Sequence, residues 1–97
     1  FNYVCISSGG IIPKTKIKFK EGYQVSLAGK VKKNTNILVK TTGMIKNLKH
    51  AEKILLNKNA DLISFGRKFI NSPNWLIKNL ISHKKEFKLP NQYKRCF

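Results

Sequence analysis

The sequence predicts an α/β chain of parallel β/α units, and three observations predict it. Three apolar runs, Tyr3–Ile6, Ile37–Val39 and Leu62–Phe65, are short and near-continuous, the pattern of parallel strands rather than of half-exposed alternating ones. Stretches with helical spacing of apolar residues lie between and after them. The resulting order, strand–loop–helix, strand–helix, strand–helix, implies a parallel sheet with right-handed crossovers.

The first helix is predicted from about Tyr23 to Lys33, with Val25, Leu27, Ala28 and Val31 as its apolar positions. The second spans about Leu48 to Asn57, where Leu48, Ala51 and Leu55 share a face beside Ile54. Asn47 is its N-cap candidate, and Asn57 or Asn59 is placed to end it in a left-handed conformation. Ser72-Pro73 reads as N-cap and first turn of the third helix, whose apolar residues are Trp75, Leu76, Leu80 and Ile81. Trp75 is expected to be a packing anchor. The longest loop, Ser7 to about Gly22, holds Gly9-Gly10, Pro13 and lysines at 14, 16, 18 and 20. Loops of this length in compact domains are often functional.

With 97 residues, the chain is read as one partial domain, 1–97, with residues 84–97 as a C-terminal arm. A full eight-unit barrel needs roughly 250 residues. Three units alone leave two bare sheet edges and an uncovered apolar face. The remainder is therefore expected to lie elsewhere, and the isolated chain to be marginally stable and prone to associate. The start at Phe1 rather than Met fits a cut. Neither a membrane-spanning run of about eighteen apolar residues nor a secretory leader is present in the sequence, and a cytoplasmic location is expected. Cys5, inside an apolar run, is expected as a buried free thiol, and no spacing suggests a metal site.

Net charge is +16, from 20 basic and 4 acidic residues. Such a field favours anionic partners. Eighteen of the basic residues are Lys, which fits a coding bias toward Lys, Asn and Ile, and only Arg67 and Arg95 are Arg. The planar guanidinium fork grips phosphate or carboxylate as Lys cannot, so these two carry the information. Ligands of β/α folds bind at the C-terminal ends of the strands. There the sequence places Ser7-Ser8-Gly9-Gly10, Thr41-Thr42-Gly43-Met44 and Gly66-Arg67. Gly43 and Gly66 let backbone N–H groups approach an anion, and Arg67 adds charge-assisted bonds. His50 and His83 lie away from strand ends. The four carboxylates, Glu21, Glu52, Asp61 and Glu86, form no pair suited to acid–base work.

Four segments, SSGGIIPKTKIKFKEGYQV, ILVKTTGMI, AEKILLNKNADLISFGRKFINSPNW and LPNQYKRCF, together resemble the C-terminal part of Old Yellow Enzyme-type NADPH dehydrogenases, in their short bacterial branch. The resemblance covers essentially the whole chain. It implies a TIM barrel, with the three strands as its sixth to eighth, and FMN reduced by NADPH or NADH and reoxidised by an enone-type small molecule. It also implies that Gly43, Gly66 and Arg67 meet the FMN phosphate, and that Arg95 reaches into a neighbouring subunit of a homo-oligomer. The missing partner of the fragment is then the N-terminal part of the barrel. Departures are Asn71 where relatives often carry Arg, Lys58 for Gly, Ser26 for Pro, Gly29 for Glu, and Thr41-Thr42 for small apolar residues. The family's catalytic cysteine, histidines and tyrosine belong to earlier strands. Cys5, His50 and His83 do not align with them, so no catalytic residue is assigned and the isolated chain is expected to be inactive. The rival reading is a small basic nucleic-acid-binding protein, resting on charge and on the lysines between Lys14 and Lys20. It lacks a recognised binding motif or an aromatic-interleaved surface, and no membrane partner is expected.

Overall fold

In a computed structural model, every residue except Gly10, Ile12 and Thr15 is described, and the chain forms two compact units, Phe1–Arg67 and Lys68–Phe97. The first holds β1 (Tyr3–Ile6), α1 (Val25–Asn34), β2 (Leu38–Thr41), α2 (Leu48–Leu56) and β3 (Leu62–Ile63). The sheet is parallel, in the order β1-β2-β3. Tyr3 pairs with Leu38 and Ile6 with Thr41; Thr41 then pairs with Ile63. Sequential order, with no reversal, is single winding.

Both crossover helices cover the same face. Val39 and Thr41 on that face are fully buried, and Ile45, Ala51, Ile54 and Ala60 form the core, joined by Val25, Ile63 and Phe65. The opposite face is bare, with Tyr3, Leu38 and Leu62 40–50% exposed. Covering on both strand faces is therefore not what this unit achieves, and the uncovered apolar face expected of three units is what it has. Cys5 stands on the bare face and is exposed, which corrects its expected burial. The apolar run made β1 a strand, but only alternate residues of a strand face the helices. Lys40 is on the same face, with its Nζ 4.8 Å from the centre of the Tyr3 ring.

Local chemistry explains the helix ends. Asn47 caps α2 as expected, its side chain accepting the His50 N–H at 2.8 Å. At the other end Asn57 is not left-handed (φ −75°); Lys58 is, at φ +56°. Lys58 N–H bonds Leu55 O and Asn59 N–H bonds Ile54 O, at 3.0 and 3.1 Å, the paired bonds of a Schellman motif. Gly29, buried inside α1, leaves a Cβ only 2.8 Å from Asn59 Oδ1, so nothing larger fits while Asn59 lies there. Asp61 ties α1 to the sheet. Its carboxylate accepts from Lys32 Nζ and from the Val39 N–H at 2.9 Å, and the Lys32 bond first, then the Val39 bond, lower its pKa.

The second unit contains α3, α4 (Trp75–Ser82) and a 3-10 turn, Asn91–Tyr93. The short helix α3, Arg67–Asn71, was not anticipated. Ser72 follows α3 and bonds back to Lys68 O at 2.9 Å, so it closes that helix, and Asn74 rather than Ser72 occupies the N-cap of α4. Trp75 has the packing role expected of it, edge-to-face with Phe69 at 6.2 Å and with Lys68 Nζ 5.5 Å from its ring centre. α4 also ends in a Schellman pair, Lys84 N–H to Ile81 O and Lys85 N–H to Leu80 O, with Lys84 at φ +51°.

Candidate functional site

The register brings three strand ends to one edge of the first unit. Thr41 pairs with Ile6 on one side and with Ile63 on the other. Ser7-Ser8, Thr42-Gly43 and Ser64-Phe65-Gly66-Arg67 therefore leave neighbouring strands in the same direction. Two bonds continue the β2–β3 pairing beyond the strands: Ser64 N–H donates to Thr41 O at 2.9 Å, and Thr42 Oγ1 donates to Ser64 O at 3.2 Å.

Gly43 sits in this edge at φ +103°, a conformation that L side chains rarely adopt. Space forbids a side chain as well. A Cβ there would stand 2.6 Å from Gln24 Nε2 and 2.8 Å from Tyr23 Cε1. Gly66 is the opposite case, since a Cβ there meets nothing within 4 Å. Arg67, the first residue of α3, is exposed. Of the serine-glycine run, Gly9 is left-handed at φ +79° with open space beside it, and Gly10 lies outside the described residues.

Gln24 is a site residue that the sequence reading missed. It stands at the head of α1 and is 2% exposed. Its Oε1 accepts the Ser8 N–H at 2.5 Å. The signal for it was available, because Gln24 is four residues before the buried Ala28 and shares its helix face. Tyr23 beside it meets Phe19 edge-to-face at 5.5 Å. Thr41 is fully buried, and its hydroxyl finds no partner among the described residues, a cost of about 1–3 kcal/mol in general.

His50 stands beside Gly22, where a Cβ would lie 3.0 Å from His50 Cε1. His50 Nδ1 is 3.2 Å from Glu21 Oε1, off the line of a hydrogen bond. His83 bonds Asn79 O and Ser82 Oγ on the exposed end of α4. Arg95, in the second unit, is exposed just beyond the 3-10 turn.

Residues 11–86 match the family described as NADH:flavin oxidoreductase / NADH oxidase. The chain belongs to that family. Within it the chain is similar to an NADPH dehydrogenase of Clostridium acetobutylicum, at 32% identity over 94 residues, 97% of this chain and 27% of the relative. An NADPH dehydrogenase of a Geobacillus species is 37% identical over 70 residues, 72% of this chain and 20% of that protein. One from Bacillus pumilus is 34% identical over 92 residues, 95% and 27% of the two chains. The chain thus spans about a quarter of the length of these curated relatives.

Proposed function

We propose that this chain supplies barrel units six to eight of an FMN-dependent NADPH (or NADH) oxidoreductase of the ene-reductase type, and that Gly43, Gly66 and Arg67 form its FMN phosphate site. The observation that carries this is Gly43, held at φ +103° with no room for a Cβ, in a chain of a flavin oxidoreductase family. Phosphate is held by backbone N–H groups that approach without a Cβ in the way, together with a cation. Gly43 and the open Gly66 offer the first, and the exposed Arg67 the second. When bound, FMN would supply hydride-transfer chemistry between the nicotinamide cofactor and an enone-type small molecule. This chain's part is to hold the phosphate and so set the depth of the flavin.

In the same reading, the bare face of the sheet, Tyr3, Leu38 and Leu62, is turned toward the barrel interior and is closed by the preceding barrel units. Arg95 is the tip of an arm, 84–97, that enters the substrate pocket of a neighbouring subunit in a homo-oligomer. A cytoplasmic location goes with this chemistry. The rival, a small nucleic-acid-binding protein, draws on net charge and on the lysines between Lys14 and Lys20. Against it, lysines occur on α1, β2, α2, α3, α4 and the tail alike, and Lys32, Lys40 and Lys68 are engaged within the chain.

The test uses the complete polypeptide that carries these residues. Arg67→Ala is expected to weaken FMN binding by about 1.5–3 kcal/mol, the scale of a hydrogen bond to a charged group, as read by flavin fluorescence quenching. Unchanged FMN affinity would sink the phosphate assignment. Arg95→Ala should raise KM for an enone while FMN stays bound, and unchanged kinetics in a confirmed oligomer would rule out the arm.

A further inference from the structure

Gln24 spans two of the three loops at the strand-end edge. A long polar side chain that is 2% exposed is costly to bury unless its polar atoms are engaged. The Ser8 N–H is a donor, so the carboxamide must turn its oxygen to it, and the bond is 2.5 Å. That leaves the amide nitrogen facing the loop after β2, 2.6 Å from where a Cβ of Gly43 would stand. Backbone bonds fix the base of the side chain: Val25 N–H to Gly22 O and Ala28 N–H to Gln24 O, at 3.0 and 3.1 Å. One carboxamide therefore sets the spacing between the end of β1 and the end of β2.

We infer that Gln24 is a positioning residue for the anion site: it holds the Ser8 and Gly43 loops at the separation a phosphate needs, and presents its amide nitrogen, never a negative charge, toward that site. This rests on the phosphate reading above. It differs from a purely structural role, in which Gln24 would stabilise the fold and affect every ligand equally. Riboflavin, which has the same ring system as FMN and no phosphate, separates the two.

The experiment measures Kd for FMN and for riboflavin in the complete polypeptide, for the wild type and for Gln24→Met, Gln24→Glu and Arg67→Ala. Gln24→Met keeps the volume and removes both polar atoms. Gln24→Glu keeps the acceptor for Ser8 and puts an anion where the amide nitrogen was, and it carries the test if the Met variant unfolds by far-UV circular dichroism. In each folded Gln24 variant the preference for FMN over riboflavin is expected to fall about tenfold, the scale of one lost hydrogen bond. Riboflavin affinity should stay within about twofold of wild type, since it makes no use of the phosphate loops. If the preference is unchanged in a folded Gln24 variant while Arg67→Ala lowers it, Gln24 has no positioning role and the phosphate site stands. If Arg67→Ala leaves the preference unchanged too, the phosphate reading fails and this inference fails with it.

Discussion

Replacing Gly43 by alanine isolates what the strand-end edge demands of its backbone. At φ +103° an L residue occupies a sparsely populated region, which costs about 1–3 kcal/mol. The new Cβ would also stand 2.6 Å from Gln24 Nε2 and 2.8 Å from Tyr23 Cε1, inside any tolerable contact. Tyr23 is braced by Phe19, so Gln24 is the group that yields, and it gives up its bond to Ser8 at about 0.5–1.5 kcal/mol. The two costs give a loss of about 1.5–4.5 kcal/mol. Urea titration followed by far-UV circular dichroism would read this as a midpoint lower by roughly 1–2 M. Gly66→Ala is the control. With an ordinary φ and nothing within 4 Å of its Cβ, it should be neutral or gain about 0.4–1 kcal/mol by restricting the unfolded chain. A Gly43→Ala loss under about 0.5 kcal/mol, or equal losses at both glycines, would refute the reasoning.

Two further outcomes concern stability away from the site. Lys58→Gly should stabilise by about 0.5–1 kcal/mol, the left-handed cost of a side chain less the added freedom of glycine in the unfolded chain. A melting temperature that does not rise by a few degrees would show that the α2 terminus is not strained at Lys58. Asp61 has a folded pKa lowered first by the Lys32 hydrogen bond and then by the Val39 N–H. Its contribution is therefore fully present above the unfolded carboxylate pKa and is lost as pH falls through the lower folded value. Asp61→Asn should lower the urea midpoint at pH 7 and shrink the further drop between pH 5 and pH 2, and an unchanged midpoint at pH 7 would contradict this.

The parallel order, the two long helices and the Asn47 cap were legible because each is written in spacing or in a residue with one favoured use. Family membership was legible in four ordered segments. What escaped was structure set by contacts distant in sequence. β2 runs to Thr41 instead of ending at Val39, because Lys40 and Thr41 pair with Cys5 and Ile6 of β1, and the Lys40 ammonium finds the Tyr3 ring, 4.8 Å from its centre. β3 stops at Ile63; just beyond it the Ser64 N–H bonds Thr41 O and the Thr42 hydroxyl bonds Ser64 O. The five residues of α3 are too few to show a period, and they turned Ser72 from a start signal into a stop. At the site, Gly43 was visible as a turn glycine, but its closed surroundings were not, because they come from Tyr23 and Gln24, far earlier in the chain.

Among the described residues, three of the four non-glycine positions with positive φ are lysines: Lys14, Lys58 and Lys84. At Gly43 a side chain would collide with its neighbours, whereas Lys58 and Lys84 end helices on exposed surface, where only backbone strain opposes substitution. A lysine-rich coding bias is thus expected to be absorbed first at helix ends, where each replacement takes a modest, separate toll and alters no contact. The toll accumulates as lost tolerance. A chain with two strained caps has less reserve to absorb a damaging change elsewhere, so placing glycine at both gives a background in which harmful variants at the strand-end edge stay folded long enough to be measured.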